Sequence, residues 1–169
     1  MRRVVQWVGL VLLLAGTATA QGWTAFSPEG GRCRVDMPGT PTVETIPLNS
    51  PGQTLTQTEA KVQAGSAIFF MSWVDYPERV ALSAASDTML DKVRDGMAAG
   101  NTLRGEKKLT LGRAQGREFT LAEANGATTA VRLYWARNRL YQLGVTGRAG
   151  VENLPETRHF FESFTLVRS

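Results

Sequence analysis

The ten-residue stretch AIFFMSWVDY, residues 67–76, constrains the fold more than any other. Successive side chains of a strand point to opposite faces, so Ile68, Phe70, Val74 and Tyr76 share one face, and Phe69, Met71 and Trp73 share the other. Both faces are apolar for most of the length. Such a strand must be covered on both sides, which predicts a sheet with layers above and below it. Pro77 then removes a ladder donor and ends the run.

The segments around this strand read as an antiparallel sheet with two helices. Trp23 and Phe26 lie in a short apolar run, Ser27-Pro28-Glu29-Gly30-Gly31 forms a turn, and residues 32–37 alternate as a strand. An extended piece is expected at 42–46, a turn-rich stretch at 47–53, and a half-exposed polar strand at 54–64. Residues 86–101 carry the helical period, with Met89, Leu90, Val93 and Met97 on one face, Ser86 as N-cap and Gly100 as the stop. From Leu103 the pattern is a meander. Leu103, Leu109 and Leu111 are expected on one face, and Phe119 and Leu121 point inward. Asn125-Gly126 is expected to form a type I′ hairpin turn, Val131, Leu133 and Trp135 alternate with Arg132 and Tyr134, and Asn138-Arg139 is the next turn. Pro155 opens a last helix that buries Phe160, Phe161 and Phe164. The expected class is α+β: an α/β/α sandwich, with a largely antiparallel β-sheet and a central and a C-terminal helix packed on it.

The N-terminus points to export. Arg2 and Arg3 precede an apolar stretch that is dense over residues 8–14, and Ala18-Thr19-Ala20 has the small-x-small pattern of a signal-peptidase site. The apolar stretch is shorter than the ~20 residues that cross a bilayer. Residues 1–20 therefore read as a cleaved signal and residues 21–169 as one domain, not membrane-spanning after cleavage. The formal charge of +4 falls to about +2 without Arg2 and Arg3, too mild a field to indicate a nucleic-acid partner. The one cysteine, Cys33, excludes a disulfide within the chain and falls on the apolar face of its strand, as a buried, inert thiol would.

Reactive constellations are scarce. With one histidine, His159, and one cysteine, no Cys/His zinc set can be built. The phosphate-binding G-x-G-x-x-G and Walker patterns and the nucleophile motif G-x-S-x-G do not occur. His159 reads as a rim residue of an amphipathic helix. Glu118 and Glu123 stand on opposite strand faces. Tyr134, Trp135 and Tyr141 with Arg132, Arg137 and Arg139 could form a platform for single-stranded nucleic acid, but core packing of these aromatics is favoured. The sharpest catalytic candidates are Asp75 and Tyr76, a carboxylate beside a phenol at a strand exit. The competing reading is that Tyr76 packs its ring and Asp75 hydrogen-bonds at the turn. No cofactor and no metal are expected.

Several stretches in order, WTAFSPEGGRCRVDMPGTP, FFMSWVDYP, GREF, RLYWARNRLYQLGV and FFESF, resemble a group of small exported bacterial proteins of unknown function, similar to the PsbP/DcrB-like superfamily. The resemblance spans nearly all of residues 21–169. It implies an α/β/α sandwich around an antiparallel sheet, and accessory or binding roles such as extrinsic subunits of membrane complexes. Its motifs are packing and turn motifs and carry no catalytic residue across; Cys33 departs from the larger apolar or aromatic residue expected there. The expectation is an exported, periplasmic or secreted, non-enzymatic accessory protein that binds an envelope protein or a small ligand. The alternatives are a carboxylate-based enzyme such as a hydrolase centred on Asp75 and Tyr76, and a purely structural envelope component.

Overall fold

The computed structural model describes residues 22–50, 53–83 and 85–167; the expected signal, residues 1–20, lies outside them. A seven-stranded, wholly antiparallel sheet dominates the chain. Its strands are β3 (Thr42–Ser50), β4 (Gln53–Ala64), β5 (Ala67–Asp75), β6 (Thr102–Leu111), β7 (Ala114–Ala122), β8 (Ala127–Ala136) and β9 (Arg139–Arg148), in the spatial order β3-β4-β5-β9-β8-β7-β6. A smaller antiparallel sheet joins β1 (Thr24–Phe26), β2 (Cys33–Met37) and β10 (Thr165–Leu166) in the order β1-β2-β10. Three α-helices, α1 (Glu78–Ser83), α2 (Ser86–Ala98) and α3 (Pro155–Glu162), and a short 3-10 helix at Val151–Asn153 complete the regular elements of the described residues.

Strand alternation sorts the core into two apolar clusters. Phe69, Met71 and Trp73 of β5 pair across from Val145, Leu143 and Tyr141 of β9. All six join Cys33, Val35 and Met37 of β2 and Phe160, Phe161 and Phe164 of the C-terminal segment in one cluster. The second cluster gathers Phe119, Leu121, Val131, Leu133, Trp135 and Leu140 from β7, β8 and β9 under Met89 and Leu90 of α2. Burying each such side chain contributes about 1.5–3 kcal/mol, so both clusters are large terms in stability. The helical period over 86–98 aims Met89 and Leu90 inward, with Val93 and Met97 packed at the cluster edge.

Several expectations change in detail. Residue 67–76 coverage is complete on the Phe69 face only; on the other, Val74 is buried, Phe70 is half-buried and Ile68 stays 43% exposed, because α2 sits over the β7–β8–β9 half. β3 runs on through Pro47 to Ser50, whereas a turn was expected from residue 47. An edge strand has outward positions that need no donor, and Pro47 also blunts that edge against pairing with another chain. Leu103 parts company with Leu109 and Leu111, because a β-bulge lies between Arg104 and Lys107, where Gly105 has φ +60°. One extra residue flips the faces, sending Leu103 to the α2 cluster and Leu109 and Leu111 to the other. Helix α2 ends at Ala98, with Ala85 rather than Ser86 at the N-cap and no side-chain cap; Gly100, at φ +83°, carries the left-handed stop. The hairpin at Asn125-Gly126 exists, but only Gly126 has positive φ. Gly126 donates to the Glu123 carbonyl and Asn125 Oδ1 accepts from the Ala127 amide, which is a turn followed by a left-handed glycine rather than type I′. The last hairpin turns at Arg137-Asn138, one residue earlier than expected, since Arg139 pairs with Asp75 as a strand residue.

Candidate functional site

β5 ends at Asp75, directly across from Arg139, the first residue of β9. Asp75 stands on the Trp73 face and Arg139 on the Tyr141 face, which are the same face of the sheet. The guanidinium grips the carboxylate with two hydrogen bonds, Nε to Oδ1 at 2.6 Å and an NH2 group to Oδ2 at 2.5 Å. Its remaining terminal nitrogen donates to the Gly30 carbonyl at 2.6 Å and the Gly31 carbonyl at 2.9 Å. The Tyr141 hydroxyl donates to the same Gly31 oxygen at 2.9 Å. Trp73 and Tyr141 flank the guanidinium carbon with ring centroids at 5.8 Å. Arg139 is 5% exposed and Asp75 50% exposed. The pair thus ties the turn before β2 to the strand exit.

This geometry fixes the charge states. Hydrogen bonds from Arg139 hold the Asp75 carboxyl below the usual carboxylate range. Burial works against the charge on Arg139, but the bonds to Asp75 and Tyr141 outweigh it and the group stays a cation. Burial pushes the Tyr141 phenol up, as it does that of Tyr76. Asp75 is therefore a standing anion with both oxygens engaged, ill suited to take and return a proton at neutral pH.

Tyr76 does not join it. Adjacent strand residues face opposite ways, and the Tyr76 ring packs on Trp135, centroids 5.2 Å apart, in the α2 cluster. Its backbone is pinned by the Asn138 turn: the Tyr76 amide donates to the Asn138 carbonyl and Asn138 Nδ2 donates to the Tyr76 carbonyl, each at 2.8 Å. The two candidates are neighbours in sequence and on opposite sides of the sheet.

The other charged residues form structural networks as well. Arg117, 2% exposed, bonds Asp87 at 2.7 Å and Asp91 at 3.0 Å on α2, and Arg94 bridges Asp91 to Glu106 on β6. Glu118 pairs with Arg132 and with Lys107, and Arg132 lies over the Phe161 ring. Tyr134, Trp135 and Tyr141 are buried in the core, so they offer no stacking platform. His159 is a rim residue, with Nε2 3.2 Å from Asp36 and its ring against Trp23. The Cys33 thiol is buried and pushed up to about 12, chiefly by desolvation. Among the described residues, no three His, Cys, Asp or Glu side chains come together as metal ligands, and no helix is long and apolar enough to cross a membrane.

The arginines that close these networks had a sequence signature that residue-type searching passes over. Arg139 is in phase with Tyr141, Leu143 and Val145, and Arg117 with Phe119 and Leu121, so each falls on a core-facing position of its strand. An inward-phased arginine announces a buried counter-charge. Beside the Asp75–Arg139 pair lies an open groove of about 580 Å³, lined by Arg32, Asp75, Glu78, Leu82 and Arg137 among others. No protein-family model matches the sequence, and no curated protein is significantly similar to it.

Proposed function

We propose that the chain is an exported, non-enzymatic accessory domain that binds a partner or small ligand in the cell envelope. We further propose that its antiparallel sheet and helices form the three-layer α/β/α arrangement of the PsbP/DcrB-like superfamily, with β1, β2 and β10 sharing one outer layer with α3. The observation that carries the functional reading is the closed state of the Asp75–Arg139 pair. An arginine does converge on Asp75, as the carboxylate-enzyme reading requires. That arginine is spent on Asp75 and on two turn carbonyls, and Tyr76 faces away. Charges so consumed support architecture, with an open groove beside them left for binding.

The test uses the full chain in bacterial cells, with a photo-crosslinking residue at Leu82 and, as a control, at Val43. The expected result is a processed protein in the envelope fraction that gives a discrete adduct from position 82 and none from 43. An unprocessed cytosolic protein, or the same adducts from both positions, contradicts the reading.

A further inference from the structure

Among the described residues, Arg32 and Arg137 are the non-glycine residues with positive φ, at 52° and 59°. Elsewhere the chain gives that conformation to glycine, as at Gly30, Gly65, Gly112 and Gly150. A side chain there crowds its own backbone and costs stability that a glycine would not. Both exceptions are arginines, and both line the same groove although they come from turns far apart in sequence. Strained positions of this kind persist where the surroundings hold them, and they concentrate at binding sites.

Among the described residues the two guanidiniums, like those of several surface arginines, are left without an ion pair, although Arg32 lies close enough to favour the Asp75 charge. Arg94, Arg117, Arg132 and Arg139 are all ion-paired. Among the described residues no hydrogen bond or salt bridge engages the side chain of Arg32 or Arg137. Asp75 is neutralised by Arg139. The groove is lined by two arginines, Arg32 and Arg137, and by two carboxylates, of which Asp75 is already matched by Arg139 behind it, so that only Glu78 stands against the two free guanidiniums. One wall is apolar: Leu82 is 86% exposed, beside Ala81, on a helix that buries none of its residues.

We infer that this groove binds a small amphipathic carboxylate, whose anionic head lies between Arg32 and Arg137 and whose short acyl chain lies on Leu82 and Ala81. Paired guanidiniums suit a planar carboxylate, each able to donate two parallel hydrogen bonds. The inference deepens the binding reading above by naming a ligand class, and it does not depend on export.

The test is an amide NMR titration of the protein, purified in the form in which it accumulates in cells, at pH 7 and low salt. The probes are octanoate, acetate and the uncharged 1-octanol. Octanoate is expected to shift the amides around positions 32, 82 and 137 saturably, with acetate at least tenfold weaker. Arg32→Gly and Arg137→Gly are each expected to weaken octanoate at least tenfold while melting at the wild-type temperature or above, since glycine relieves the backbone. Leu82→Ser should bring octanoate down to the strength of acetate. The inference is overturned if octanol binds as well as octanoate, if the shifts lie elsewhere or are missing, or if the glycine variants bind normally. It is also overturned if those variants melt well below wild type, because the arginines would then be holding the fold. A protein that is processed and crosslinked in the envelope yet does not take octanoate loses the carboxylate ligand alone.

Discussion

Gly144 offers a sharp test of the sheet, because the substitution should destabilise against the direction of propensity. Phe70 on β5 lies opposite Gly144 on β9, with its ring laid over the glycine. A Cβ at residue 144 would sit 2.1 Å from Phe70 Cζ and 2.4 Å from Cε1. Carbon atoms settle at about 3.5–4.0 Å, so the ring must move by more than an ångström. Phe70 is half-buried and can swing toward solvent, so the cost is lost ring burial rather than a crushed core, about 1–2 kcal/mol. Alanine is otherwise favoured over glycine inside a strand by roughly 0.5–1 kcal/mol, which makes the sign diagnostic. With that gain set against the ring cost, Gly144→Ala should lower the urea midpoint with an unchanged m value, and lower Tm by a few degrees, up to about 6 °C for a chain of this size. In a Phe70→Leu background the same change should cost under ~0.5 kcal/mol, because the clashing ring atoms are gone. Equal effects in the two backgrounds, or a Gly144→Ala protein more stable than wild type, refutes the stacked ring.

Two further outcomes follow from the charge states. Asp75, Asp87 and Glu118 all have lowered values: Asp75 through Arg139, and Asp87 through Lys108 and Arg117. For Glu118, burial opposes the charge but Lys107 and Arg132 outweigh it. A lowered folded-state value gives stability that is present above the ordinary carboxylate range and lost as pH falls through the folded value. Thermal melts should therefore be flat from pH 7 to about 5 and drop steeply below about 4, and Asp75→Asn should make that drop shallower. Cys33 should resist a thiol reagent at pH 8 in the native protein and react fully in denaturant, since its folded-state value stands at about 12; rapid native labelling would contradict its burial.

The sheet was legible because alternation is a local signal. β5, β8 and β9 carry long apolar runs whose phase alone predicts their buried faces, and Pro155 marks the start of α3 with Phe160 and Phe161 inward. What escaped was decided by single residues or by distant partners. One extra residue at Gly105 reverses the facing of half of β6. Pro47, a stop signal in most settings, is harmless on an edge strand. The six-residue α1 buries no residue and so has no apolar stripe to read. At the candidate site, Asp75 and Tyr76 looked like a pair because they are adjacent, and the pleat separates them. The true partner, Arg139, is 64 residues away, and only the β5–β9 register brings it across.

Asp75 and Arg139 form a structural lock, whose strength a double-mutant cycle of stability measures directly. Removing one member of a buried ion pair leaves an uncompensated charge, at about 3–5 kcal/mol when no water can reach it. Asp75 is half-exposed and water can partly replace it, so Asp75→Ala should cost about 2–3 kcal/mol. Arg139→Met strands no buried charge, and Asp75→Ala combined with Arg139→Met should be more stable than Asp75→Ala alone. Restored stability in the double variant is the predicted result; an Asp75→Ala protein that unfolds at the wild-type midpoint would contradict the lock and return Asp75 to the list of groups held for chemistry.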